Sequence, residues 1–238
     1  MNELEYTLLT PAPTATRPLL GLTILVVEDS RFACDAMRLL CLRSGARIRR
    51  ADCLKSARRH LQVYRPTVVI IDLGLPDGSG ADLIHELSHS EPRISAILAI
   101  SGDDMNEAIA TAAGADGFMA KPLASLSEFQ SSILRVLPED LRPAGLRSIT
   151  DEQVEPDLMA YRDDMAHAAE MLTSDADLKT LDYVTQFVQG VAKSAQDDQL
   201  CRAAHNLALA RAEGTTIHSH QARLTGLVAE RVTEQIAI

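Results

Sequence analysis

The chain has 238 residues, of which 46% are hydrophobic, and a formal net charge of −10. This length fits two domains of roughly 100–150 residues, each with its own buried core. No apolar run reaches the roughly 18 residues that a membrane-spanning helix needs, and the N-terminus is acidic where a secretory signal would be basic. We therefore expect a cytoplasmic protein without a membrane partner.

The negative charge is concentrated in the second half of the chain. Residues 151–238 contain 7 Lys or Arg against 15 Asp or Glu, whereas residues 1–150 contain 16 against 18. Binding to nucleic-acid phosphates requires a basic face, so this balance argues against a nucleic-acid partner. A transcriptional regulator stays as an alternative that the charge disfavours.

The prolines of residues 1–20 predict a flexible leader, with docking of part of it on the domain as the alternative. After this segment the first half shows alternating strand and helix patterns. Four apolar runs predict strands that are covered on both faces, and an Arg-rich stretch at 46–52 predicts an edge strand. The apolar runs lie at residues 23–27, 68–72, 96–100 and 117–120. A helical pattern follows each strand, so residues 21–138 predict a doubly wound α/β domain with a parallel sheet.

The second half shows only helical patterns. Residues 139–152, with Pro143 and Gly145, predict a linker, and residues 153–238 predict an all-α domain. The helical stretches run over 155–172, 175–195, 197–213 and 216–236. Three short connections between four helices predict an antiparallel four-helix bundle.

Polar side chains stand where the predicted strands end. These residues are Glu28, Asp29, Asp72, Ser101 and Lys121. The carboxyl ends of parallel strands share one edge of the sheet, so we expect these side chains to converge. Three adjacent carboxylates repel one another unless a cation intervenes, and a divalent ion such as Mg²⁺ prefers oxygen ligands. Such a cluster suits phosphoryl transfer, with one carboxylate as the acceptor and the cations neutralising the transferred group.

The pattern resembles the receiver domain of two-component response regulators. The resemblance spans residues 21–138 and is carried by Glu28-Asp29 after an apolar strand, Asp72 followed by Leu-Gly-Leu-Pro-Asp-Gly-Ser-Gly, Ser101 and Lys121-Pro122. It implies a flavodoxin-like strand order 2-1-3-4-5 and phosphorylation of Asp72. The donor would be a sensor histidine kinase or a histidine phosphotransfer protein, and the chain would be a phosphoacceptor signalling protein rather than an enzyme.

The resemblance also implies a Mg²⁺ site. Its ligands would be Glu28, Asp29, Asp72 and the backbone carbonyl of Gly74. At Gly74 the chain departs from the family, which often has a larger polar residue beside the acyl phosphate.

Two further positions match the family's conformational switch. Ser101 would be the switch hydroxyl that moves to the phosphoryl group. Phe118, three residues before Lys121, would be the switch aromatic that turns inward on activation. Core packing is the alternative interpretation of Phe118, because aromatic side chains are buried wherever they can be.

The helical half partially resembles a histidine phosphotransfer domain. His205 lies in the middle of a predicted bundle helix, but the Lys and Gly that usually follow at the third and fourth positions are replaced by Ala208 and Leu209. Two interpretations of the output stay open. The bundle docks a partner or a second copy of the chain as a homodimer, or it is a phosphorelay domain in which His205 also carries phosphate.

Overall fold

The structure is a computed structural model, and it describes residues 12–145, 152–173 and 177–234. Its first domain is built on a five-stranded parallel sheet. The strands are β1 (Thr23–Val27), β2 (Arg47–Ala51), β3 (Val68–Asp72), β4 (Ala96–Ser101) and β5 (Gly117–Ala120). They are arranged in the order β2-β1-β3-β4-β5. The predicted doubly wound sheet of order 2-1-3-4-5 is confirmed.

Five helices cover the two faces of this sheet. They are α1 (Arg31–Ser44), α2 (Leu54–Val63), α3 (Gly80–Ser88), α4 (Glu107–Ala113) and α5 (Leu126–Val136). Helices α1 and α5 pack on one face, and α2, α3 and α4 pack on the other. Alternate residues of each central strand enter opposite cores: Val26 belongs to the first, Val27 to the second. Burial on both faces explains the continuous apolar runs of the central strands.

The end of the predicted leader belongs to the first domain. Leu19 has no exposed surface and lies in the core beneath α1, and its amide donates a hydrogen bond to the carbonyl of Ser44. Burial of Leu19 therefore anchors this end of the segment to the first domain. Residues 1–11 of the predicted leader lie outside the described residues.

The end of the predicted linker also packs on the first domain. The amide of Leu126 donates to the carbonyl of Glu152, and the amide of Val154 donates to the carbonyl of Ala124. Val154 is buried in the core beside α5. The boundary between residues 152 and 153 therefore falls inside an extended segment that extends the first domain, and residues 146–151 lie outside the described residues.

The second half of the described chain is helical, as predicted. Its helices are α6 (Leu158–Met171), α7 (Leu178–Ser194), α8 (Asp198–Ala212) and α9 (His218–Thr233). The first three begin after aspartates whose side chains accept a backbone N–H of the first turn, namely Asp157, Asp177 and Asp197. All four contribute to one apolar core. No helix within the described ranges is both long and apolar enough to cross a membrane.

The bundle lies against the carboxyl end of the sheet. Helices α6 and α7 both pack on α1, and α7 also approaches the short hairpin that pairs Gly74–Leu75 with Gly78–Ser79 after β3. This packing places the helical half over the edge where the predicted site residues lie.

Candidate functional site

Three carboxylates meet beyond the ends of β1 and β3. One oxygen each of Glu28, Asp29 and Asp72 lies within 4.8 Å of the others. Strands β1 and β3 are parallel neighbours with Val27 opposite Ile71, so the residues that follow them emerge side by side. Glu28 and Asp72 are buried, and Asp29 is partly buried. The structure thus brings the predicted acidic residues together.

Lys121 completes this cluster from the end of β5. Its Nζ lies 2.6 Å from Oε2 of Glu28 and donates a 2.8 Å hydrogen bond to Oδ2 of Asp72. Burial alone would lower the pKa of Lys121, but Asp72 and Glu28 raise it above its ordinary value. The side chain is therefore a permanent ammonium ion against the two carboxylates.

The remaining negative charge suits a divalent cation. Burial raises the pKa of Asp29 to about 6, and the charge of Asp72 adds to this effect, whereas a hydrogen bond from Tyr183 lowers it. Burial also raises the pKa of Glu28 well above its usual range, and the neighbouring carboxylates act in the same direction. A bound cation would favour the ionised forms, and the three carboxylates form an oxygen donor set that fits Mg²⁺. Lys121 offsets part of their negative charge.

Gly74 lies two residues after the end of β3 and lines the same cavity as Asp72. Its amide donates a 3.3 Å hydrogen bond to Oδ1 of Asp72. Ligation of a metal by its carbonyl stays a prediction. A Cβ added at Gly74 would lie 2.5 Å from Nε2 of Gln186 on α7, so the amide of Gln186 fills the space that a larger residue would need.

The two predicted switch residues occupy different environments. Ser101 is buried and lines the cavity with Asp72. Its hydroxyl accepts hydrogen bonds from Nδ2 of Asn106 at 2.9 Å and from the amide of Asp103 at 3.1 Å. Phe118 is half-buried on β5 against the core formed with α2, α3 and α4, and it does not line this cavity.

Helix α7 supplies residues that we did not predict. The hydroxyl of Tyr183 donates a hydrogen bond to Oδ2 of Asp29, and Gln186 and Gly190 line the same cavity as Asp72. The spacing of these three residues places them on one face of a helix, which the sequence alone could have indicated. Nothing in the sequence pattern indicated that this face covers Asp29.

The cavity between the two domains has a volume of about 490 Å³. Asp72 lines it from the sheet, and Gln186 and Arg211 line it from the bundle. His205 is exposed on α8, one turn before Ala208, and only Ala208 of these two lines the cavity. The structure therefore does not bring His205 and Asp72 together.

Residues 24–133 match the family model described as the response regulator receiver domain. With the strand order and the acidic site above, this part of the chain is a receiver domain. Residues 134–238, which include the helical bundle, lie outside the match.

Known proteins match this chain over a similar number of residues. The chain is 28% identical over 110 residues to the KDP operon transcriptional regulatory protein KdpE of Escherichia coli, which covers 46% of this chain and 48% of that protein. It is 33% identical over 101 residues to the probable transcriptional regulatory protein TcrX of Mycobacterium tuberculosis, and this match covers 42% of this chain and 43% of TcrX. The chain thus spans about half the length of these relatives. A putative response regulator from Chloroflexus aurantiacus is similar in structure, with a TM-score of 0.46, 24% identity, and coverage of 48% of this chain and 96% of that one.

Proposed function

We propose that this protein is a two-component response regulator that accepts a phosphoryl group on Asp72 in a Mg²⁺-dependent reaction and signals through its helical domain. The observation that carries the proposal is the contact of Asp72 with Lys121 inside an acidic cluster, within a receiver domain. A sensor histidine kinase or a histidine phosphotransfer protein would be the donor.

The residues present account for the chemistry of this reaction. A carboxylate oxygen of Asp72 forms a bond to phosphorus as the bond from phosphorus to the donor's imidazole nitrogen breaks, and the nitrogen keeps that electron pair. Lys121 neutralises charge on the transferred group. Glu28, Asp29, Asp72 and the Gly74 carbonyl would hold Mg²⁺, which when bound supplies further neutralisation of the phosphoryl oxygens.

The response would begin at Ser101. To reach a phosphoryl group on Asp72, its hydroxyl must give up the hydrogen bonds from Asn106 and the Asp103 amide. Phe118 is half-buried on the neighbouring strand and would turn inward as Ser101 moves. These two shifts would alter the surface formed by α4, β5 and α5, and hence the contacts that the receiver makes.

For the output, we favour a binding module over a relay. His205 is exposed, as a phosphorylated histidine must be, but Leu209 one turn later is 48% exposed and would crowd an approaching receiver. A homodimer is one form of the binding module. The relatives named as transcriptional regulators match over only about half their length. We therefore do not infer from them that this chain binds DNA.

Phosphorylation can be tested with acetyl phosphate and Mg²⁺. Wild type should gain the mass of one phosphoryl group, and Asp72→Asn should not. Asp82→Asn is the matched control, because Asp82 is an exposed carboxylate on α3 outside the cluster. Equal labelling of wild type and Asp72→Asn would refute the assignment of the acceptor.

The relay is tested by a different chemical property. Phosphohistidine is acid-labile, so a relay requires acid-labile label in wild type that is lost in His205→Gln. A protein in which acid-labile label never appears is not a relay.

A further inference from the structure

Helix α6 caps the first helix of the receiver domain. The carboxylate of Asp164 is buried and accepts hydrogen bonds from the hydroxyl of Ser30 at 2.7 Å, the amide of Arg31 at 2.8 Å and the amide of Phe32 at 3.0 Å. The first amides of a helix have no partner within it, and its dipole favours a negative charge at this end. The contact therefore fixes the bundle on α1 next to Glu28 and Asp29.

Helix α7 lies across the entrance to the acceptor. Tyr183 donates to Asp29 near one end of the helix, and Nζ of Lys193 donates to the carbonyl of Gly102 at 2.6 Å near the other. Between them the backbones come close, because a Cβ added at Gly102 would lie 3.4 Å from Cα of Gly190. The helix is thus held to loops after both β1 and β4.

This arrangement restricts what can reach Asp72, which is 7% exposed. A cavity of about 490 Å³ is large enough for a small acyl phosphate. A helix with its side chains is about 10–12 Å across, so a second helix carrying a phosphohistidine cannot occupy the place that α7 takes. Among the described residues that line the cavity, none is a histidine that could act as the donor itself.

We propose that the helical bundle covers in cis the surface through which a helical phosphodonor reaches the receiver. The docked protein takes phosphate from small acyl phosphates, and it takes phosphate from a helical donor only after the bundle has moved away. Docking of the bundle and of the donor are then mutually exclusive. This inference rests on the proposed role of Asp72 as the phosphoacceptor.

The test compares two donors on full-length chains. Acetyl phosphate is the small donor, and a histidine phosphotransfer protein charged with phosphoramidate is the helical donor. Tyr183→Phe and Asp164→Ala weaken docking, and Tyr161→Phe is the matched control, because the hydroxyl of Tyr161 donates to Asp197 within the bundle. A second readout is hydrogen exchange at the amides of Arg31 and Phe32, which the docked Asp164 protects.

We expect labelling by the helical donor to rise about tenfold in each weakened variant. Loss of a hydrogen bond to a charged group shifts the docking equilibrium by about this factor. Labelling of Asp164→Ala by acetyl phosphate should match wild type within about twofold, and so should labelling of Tyr161→Phe by either donor. The amides of Arg31 and Phe32 should exchange faster in Tyr183→Phe than in wild type.

The proposal is overturned if the helical donor labels the weakened variants no better than wild type, or if the Arg31 and Phe32 amides exchange freely in wild type. If acetyl phosphate labels wild type and Asp72→Asn alike, the proposed function has failed instead, and the exchange measurement still reports on docking.

Discussion

Gly74 and Gln186 are packed so closely that a methyl group at residue 74 would lie 2.5 Å from Nε2 of Gln186. The two residues belong to different domains, because Gly74 lies two residues after the end of β3 and Gln186 lies on α7. Gly74 has no side chain, and the side chain of Gln186 from the bundle fills the space beside it. This relationship links the acceptor site to the docking of the helical domain.

A larger residue at 74 should weaken that docking. Gly74 does not have a left-handed backbone, and the three atoms nearest to a Cβ at this position all belong to Gln186, so we expect Gly74→Asn to act through that contact. We expect a loss of about 1–2 kcal/mol in the free energy of unfolding, the low part of the range for overpacking, because the Gln186 side chain can rotate. Combining it with Gln186→Ala should recover most of the loss in a double-mutant cycle of denaturant unfolding. Additive losses would show that the two side chains do not compete for space.

The buried Asp164 cap on α1 should contribute more to the free energy of unfolding than the exposed ion pair between Arg31 and Asp163. Asp164→Ala leaves two amides and a hydroxyl without their acceptor and should lower the free energy of unfolding by about 2–3 kcal/mol. Asp163→Ala makes the same change in charge but removes only an exposed pair with Arg31, so about 0.5 kcal/mol or less is expected. Chemical denaturation of both variants measures the difference. Equal losses would contradict the capping role.

Binding of Mg²⁺ should weaken as the pH falls through about 6. The pKa of Asp29 is about 6 in the folded protein and lies near 3.8 in an unfolded chain. The ion needs the ionised carboxylate, so protons compete with it below pH 6. Calorimetric titration with Mg²⁺ between pH 5 and pH 8 should show this loss, to which Glu28 adds because its pKa is also raised. Constant affinity over this range would contradict the pKa.

In the ion-free protein, the Asp29 carboxyl should increase the free energy of unfolding as the pH falls, whereas Mg²⁺ binding weakens. A raised pKa means that the folded state binds a proton between pH 6 and pH 4 that the unfolded state does not bind. The contribution of Asp29 to the free energy of unfolding therefore rises as the pH falls through this window and is absent above it. Thermal unfolding of wild type and Asp29→Asn in the presence of a chelator would compare the two slopes.

Asn106 should oppose the movement of Ser101. Its amide donates a 2.9 Å hydrogen bond to the Ser101 hydroxyl, which must break if the hydroxyl turns to a phosphoryl group. Asn106→Ala should therefore increase the phosphorylated fraction at fixed acetyl phosphate about two- to tenfold, the value of one neutral hydrogen bond. Phosphate-affinity electrophoresis gives the fraction, with Ser101→Ala in the same background as the control. No change in Asn106→Ala would mean that this bond does not restrain the switch.

The site residues of the sheet could be predicted because each of them depends on local order. Glu28, Asp29 and Asp72 directly follow or end apolar strands, and parallel strands bring such ends to one edge. The helices of the bundle were predictable for a similar reason, since apolar periodicity and an initial aspartate are properties of short segments. The burial of Leu19 was not, because a pair of leucines after Pro18 does not show whether a core has space for either of them.

The amino-acid sequence by itself thus determined the receiver fold, the acidic cluster and the presence of helices after residue 153. Only the tertiary structure decided that Tyr183 bonds to Asp29, that Asp164 caps α1, and that His205 does not line the cavity beside Asp72. These contacts join residues more than 130 positions apart and depend on the complementary shapes of the two folded domains. The periodicity within either segment does not indicate how the two surfaces fit together. The helical domain was therefore visible in the sequence, but its place beside Asp72 was not.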